Sequence, residues 1–168
     1  MKYLIILLLF STCFAYQPIN KNYLQNKINL NVMYNDFPEL RESNIKLVPK
    51  NSAILQTGGW YYPAMYSINN GTIFINKELD PFVLPHAVLH EYGHHVYYSR
   101  LSNLRKKQWV KMFEENPVYV SDYSKTNAEE NFAEFVAIFY YKRNEDAYKN
   151  IESLNKTPQA KFINYILQ

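Results

Sequence analysis

The chain has 168 residues, with 18 Lys and Arg against 15 Asp and Glu, for a formal charge of +3. That length suits one domain, and the mild charge excludes a broad nucleic-acid footprint, since the longest basic run is only Arg105-Lys106-Lys107. Its single cysteine, Cys13, excludes a disulfide scaffold, so the fold must rest on its core and on any bound metal.

Residues 1–15 read as a secretory signal peptide. Lys2 gives the positive start, Tyr3 to Phe10 the apolar stretch, and Ser11 to Ala15 the small-residue end. The apolar run is too short to span a bilayer. Residues 16–168 are then expected to form one secreted domain, free of the membrane after cleavage and monomeric. No internal repeat divides it.

Residues 16–43 are polar with scattered apolar positions and are expected to include a helix. Ile45 to Val48 predicts a strand ended by Pro49, and Ala53 to Gln56 a second. Ala64 to Ile68 and Thr72 to Ile75 flank Asn69-Asn70-Gly71, a hairpin signal. A helix is predicted from between Pro81 and Pro85 to near Leu101, where a proline suits the first turn. An amphipathic helix over Leu104 to Glu115 follows, then an irregular segment from Val118 to Lys125. A third helix is expected from Asn127 to Lys142 and a last from Pro158 to Leu167. Strands first and helices afterwards indicate an α+β domain.

The motif helix carries His90-Glu91-Tyr92-Gly93-His94, an H-E-x-x-H sequence. Histidines four apart on a helix share a face, so both imidazoles can reach one zinc ion at about 2.0–2.1 Å. Glu91 is turned aside but close enough to act on a water at the ion. His86 shares the face of His90 and reads as a rim or helix-start residue, and His95 reads as structural. Trp60 suits either a cleft lining or the core.

A third ligand must come from elsewhere. The continuation with glycine three and histidine six residues after the second histidine is excluded, because Tyr97 and Arg100 stand there. The later helix offers Glu129, Glu130 and Glu134. Thr126 and Glu129 fit a capping box. Glu130 and Glu134 share a face, with Phe132, Phe135, Val136 and Phe139 largely on the other side. That spacing suits a ligand helix and an ordinary solvated acidic face equally well.

Tyr123-Ser124-Lys125-Thr126-Asn127-Ala128-Glu129-Glu130-Asn131-Phe132-Ala133-Glu134-Phe135, following H-E-Y-G-H, resembles the zinc-protease domain of anthrax lethal factor and its relatives, which include secreted bacterial Pro-Pro endopeptidases. The shared pattern is a tyrosine, seven residues to a glutamate, then x-F-A-E. Gly58-Gly59-Trp60-Tyr61-Tyr62-Pro63 and Thr72-Ile73-Phe74-Ile75 are similar to the strands before the active-site helix in that family. Phe135 and Val136 depart from the small-then-aromatic pair often found there.

The resemblance implies a small zincin-like α+β domain with a short mixed sheet, an active-site helix and a second, ligand-bearing helix. It implies one Zn2+ held by His90, His94 and Glu130. It implies catalysis by Glu91 and Tyr123, with Glu134 behind a ligand histidine. The expected activity is that of a secreted zinc endopeptidase acting on an extended peptide. The competing expectations are a silent, fold-retaining binding protein and a zinc hydrolase of a non-peptide amide.

Overall fold

Pro49 ends the first strand, as its missing N–H requires. That strand, β1, runs over Asn44–Val48 in a computed structural model that describes residues 28, 30–144 and 152–168. The signal-peptide reading of residues 1–15 lies outside the described residues. The helix expected within residues 16–43 is α1, Leu30–Asp36, followed by a 3-10 turn over Pro38–Glu42.

After Pro49 the chain turns twice, with Ser52 N–H donating to Pro49 O at 2.9 Å and Leu55 N–H to Ser52 O at 3.0 Å. Ala53–Leu55 is therefore a 3-10 turn rather than the predicted strand, and it delivers Leu55 fully into the interior. Only Gln56–Thr57 is extended, as β2, pairing antiparallel with β3, Trp60–Tyr61. Gly58 and Gly59 make that reversal with φ of 59° and 81°. Positive φ at both central residues is what a two-residue hairpin turn needs, and only glycine adopts it without strain. Trp60 is 46% exposed, so of its two expected roles the core one is excluded.

β4, Ala64–Ser67, and β5, Thr72–Asn76, form the predicted hairpin. β5 also pairs with β1, in parallel, from Asn44 opposite Thr72 to Val48 opposite Asn76. The sheet order is β1-β5-β4, which makes β5 central and β4 an edge. The burial of β5 fits: Thr72, Ile73, Ile75 and Asn76 are all buried.

α2 spans Leu84–His95, with Pro85 in its first turn, and continues as a π-helical turn over Val96–Arg100. α3 is Asn103–Glu115, α4 is Ala128–Asn144, α5 is Glu152–Asn155 and α6 is Pro158–Ile166. The result is an α+β domain with one small mixed sheet and a separate two-stranded ribbon. No helix among the described residues is long and apolar enough to cross a membrane.

One core joins these layers. Ile73 and Ile75 of the sheet, Val88, Leu89 and Tyr92 of α2, and Phe132 and Val136 of α4 are each completely buried. Trp109 of α3 sits among Phe132, Phe135 and Phe162 at ring separations of 5.1, 5.4 and 5.6 Å. Its indole N–H donates to Ala128 O at 2.7 Å, fixing α3 against the start of α4. Truncating a buried indole to alanine typically costs about 3–5 kcal/mol, so this contact is a strong anchor for α4.

Candidate metal centre

α2 and α4 cross with their backbones almost touching. A Cβ on Gly93 would stand 2.6 Å from Ala133 Cα and 2.9 Å from its carbonyl oxygen. Any side chain at Gly93 would push the helices apart. The closeness lets short histidine and glutamate side chains meet between them. Gly93 was visible only as an interior helix glycine, which usually signals a packing reason. We expect Gly93→Ala to lower the unfolding midpoint by about 5–10 °C, the upper range for overpacking in a domain of this size. Affinity for an added divalent ion such as zinc should fall with it, because Glu130 moves away from the histidines. Calorimetry and metal titration check this, and a variant with unaltered midpoint and metal affinity would rule out the crossing as the cause.

His90 Nε2 and His94 Nε2 lie 3.2 Å apart. Glu130 Oε2 lies 3.1 Å from the first and 3.2 Å from the second. Three donor atoms thus form a nearly equilateral triangle. Ligands at about 2.0–2.1 Å around a tetrahedral zinc are spaced about 3.3–3.4 Å apart. Glu130 Oε2 is buried, and although two histidine nitrogens stand near it, it has no hydrogen-bond partner of good geometry. A buried oxygen left this way is normally satisfied by something else, and a cation suits it. His90, His94 and Glu130 could hold a metal ion, as could the second cluster of His86, His90 and Glu134.

Local structure aims these groups. Asn127 Oδ1 accepts from Glu129 N and Glu130 N, both at 2.9 Å, and so caps α4. The capping box expected from Thr126 and Glu129 is replaced by this single side chain. Glu129 instead accepts from the Tyr98 hydroxyl, which the π-helical turn brings over. His90 Nδ1 stands 2.8 Å from Glu134 Oε1, a carboxylate only 3% exposed. A carboxylate only accepts, so Nδ1 carries a proton, and in the neutral ring Nε2 then offers its lone pair to the triangle. Glu134 therefore supports His90, one of the two histidines open to it, and it also meets His86 Nε2 at 3.0 Å. His86 stands in the first turn of α2, as a helix-start residue should, and is also tied to this carboxylate.

Glu91 Oε2 accepts from the backbone N–H of Tyr66 in β4 at 2.6 Å, which pins the carboxylate between helix and sheet edge. Tyr123 sits in a 3-10 turn, its ring 5.5 Å from that of His90. Burial, followed by the charges of Glu130 and Glu91, pushes its phenol well above the ordinary tyrosine value. Its O–H therefore stays intact as a donor. Asn131, fully buried in α4, ties this segment down by donating to Val118 O at 2.9 Å and Ser124 O at 3.2 Å. Sequence reasoning missed Asn131, whose only signal is an amide placed one residue after Glu130. His95 faces Tyr66 and Tyr92 at 5.7 and 5.8 Å and burial lowers its pKa, in keeping with a structural role.

Electrostatics follow from this crowding. Burial opposes the charged form of His90, but contacts with Glu130 and Glu134 outweigh it and hold His90 well above the usual imidazole value. Burial likewise opposes ionisation of Glu130, yet the two imidazoles bring it down to about 2. The sign of each effect differs. In the ion-free protein the raised His90 stabilises the fold below its unfolded value near 6.5 and loses this as pH rises through its folded value. The depressed Glu130 stabilises above about 4.5 and loses this as pH falls toward about 2. A proton on His90 Nε2 occupies the lone pair that an ion needs. Affinity for an added divalent ion such as zinc should therefore fall as pH drops from about 8 to 6. Chelator competition across that range measures it, and a flat profile would contradict the proton displacement.

Compared with known proteins, the chain matches no family model and no curated protein.

Proposed function

We propose that this chain is a secreted zinc endopeptidase of zincin-like architecture, related to the lethal factor and Pro-Pro endopeptidase proteins that its sequence resembles. One observation carries the reading. His90 Nε2, His94 Nε2 and Glu130 Oε2 converge within 3.1–3.2 Å of each other, beside an acid anchored by Tyr66 and the half-buried Tyr123. A donor set of two imidazoles and one carboxylate suits zinc and leaves a position for water, the composition of catalytic rather than structural sites.

When bound, zinc supplies Lewis acidity that brings a water's pKa toward about 7 and polarises a carbonyl. The remaining work falls to the chain. Glu91 takes the proton from water as its oxygen bonds to the scissile carbonyl carbon. The same carboxylate passes that proton to the amine as the carbon–nitrogen bond breaks. Tyr123 donates its hydroxyl proton in a hydrogen bond to the oxyanion that develops. Glu134 holds His90 in the tautomer that a ligand needs.

β4 is the sheet edge beside these groups, and an extended peptide fits there by strand addition. Glu91 already occupies the outward N–H of Tyr66. Backbone groups alternate sides along a strand, so those of Ala64, two residues earlier, share that outer edge. A formal charge of only +3 over 168 residues calls for no nucleic-acid partner, and a monomer is sufficient, since every ligand comes from one chain.

The test is a peptide-library cleavage assay on the purified zinc-loaded protein. Cleavage should stop with chelator and return with zinc. A zinc-loaded protein that cleaves no peptide, but does hydrolyse small non-peptide amides, would overturn the endopeptidase reading.

A further inference from the structure

His86, His90 and His94 recur every four residues, so three imidazoles line one face of α2. They divide into two uses. His90 and His94 direct Nε2 toward Glu130 at 3.1 and 3.2 Å, whereas His86 directs Nε2 to Glu134 Oε1 at 3.0 Å. The same oxygen meets His90 Nδ1 at 2.8 Å. Side chains of His86 and Glu134 are only 13% and 4% exposed, so both contacts are sheltered from water.

A second ion would not be accommodated easily in this cluster. His90 would have to serve it through Nδ1 while serving the first ion through Nε2, and a neutral imidazole has one lone pair. Both contacts at Oε1 also have hydrogen-bond lengths. The cluster is better suited to support than to ligation.

We propose that His86 is a positioning residue for the metal ligand His90, acting through Glu134. This rests on His90 being a ligand, as proposed above. A glutamate side chain has three rotatable bonds and would swing about a single contact. A second donor on the same oxygen, from one helical turn away, fixes where that oxygen stands. His90 Nδ1–H then has one place to donate, which sets the ring plane and the aim of Nε2. Groups behind a ligand typically change metal affinity by about 10–100-fold, and His86 stands one contact further back.

The experiment is zinc competition with a chromophoric chelator on the full chain at neutral pH. His86→Ala should weaken zinc about tenfold. His86→Gln, whose amide N–H can reach the same carboxylate, should stay within about twofold of the original. In a Glu134→Gln background, His86→Ala should cost less than about twofold more, because residues acting in series are not additive. Should His86→Ala fail to fold, His86→Leu removes the donor while keeping bulk and is read the same way. Unchanged affinity in His86→Ala overturns the proposal. So does an equal loss in the Glu134→Gln background, or a Gln variant as weak as the Ala variant. A wild-type chain that binds no zinc overturns the metal-site reading itself, which separates the two failures.

Discussion

Glu91→Gln should retain zinc and lose about 10²–10⁴-fold in peptide hydrolysis, the usual contribution of a positioned acid–base group. Glutamine has almost the shape of glutamate. Its carbonyl oxygen can still accept the Tyr66 N–H that Glu91 now accepts at 2.6 Å. The sheet edge and the helix therefore keep their spacing. What disappears is the capacity to take and return a proton. Glu91 does not join the donor triangle of His90, His94 and Glu130, so metal content should stay near one zinc per chain. Steady-state cleavage and metal analysis decide the matter together. Unchanged turnover removes Glu91 from the reaction, while zinc loss alongside activity makes it a structural support instead.

The parts of this molecule legible in sequence are those with local causes. The four-residue spacing of His90 and His94 fixes a shared helical face wherever the helix packs. The bounds of α3 and α4 follow from periodicity and end signals, and Asn69-Asn70-Gly71 marks its hairpin without tertiary help. Parallel pairing of β1 with β5 left no such trace, because register between distant strands depends on which faces the helices cover. Ala53–Leu55 looked extended from its apolar composition, yet the need to bury Leu55 right after Pro49 favours a tight turn. Capping shows the same limit. Thr126 and Asn127 are both good cap residues, and only the path of the chain out of the Tyr123–Lys125 turn selects Asn127.

The candidate site divides along similar lines. His90, Glu91 and His94 are a local pattern. Glu130 and Glu134 have equal claims on spacing, and the choice between them is made by the crossing at Gly93 and Ala133. That crossing places Glu130 against two Nε2 atoms and Glu134 against Nδ1 of His90. His86 could not be distinguished from a rim residue because its partner lies 48 positions away on another helix.

Tyr123→Phe should lose about 10²–10³-fold in kcat, the range for removing one donor to a developing oxyanion, with little change in KM or zinc content. The variant keeps the aromatic ring that packs 5.5 Å from His90, so the neighbouring imidazole keeps its place. The backbone of the turn is held independently. Asn131 donates to Ser124 O, and Ser124 Oγ accepts from Val120 N at 3.0 Å and Ser121 N at 3.1 Å. The substitution therefore removes a hydroxyl and little else. Burial and the charges of Glu130 and Glu91 keep that hydroxyl protonated far into alkaline solution. A donor that strengthens its bond only as charge grows on the carbonyl oxygen stabilises the transition state more than the bound peptide. The loss must then appear in kcat. A fall confined to KM would make Tyr123 a substrate-binding residue, and unchanged kinetics would leave its burial beside His90 as packing alone.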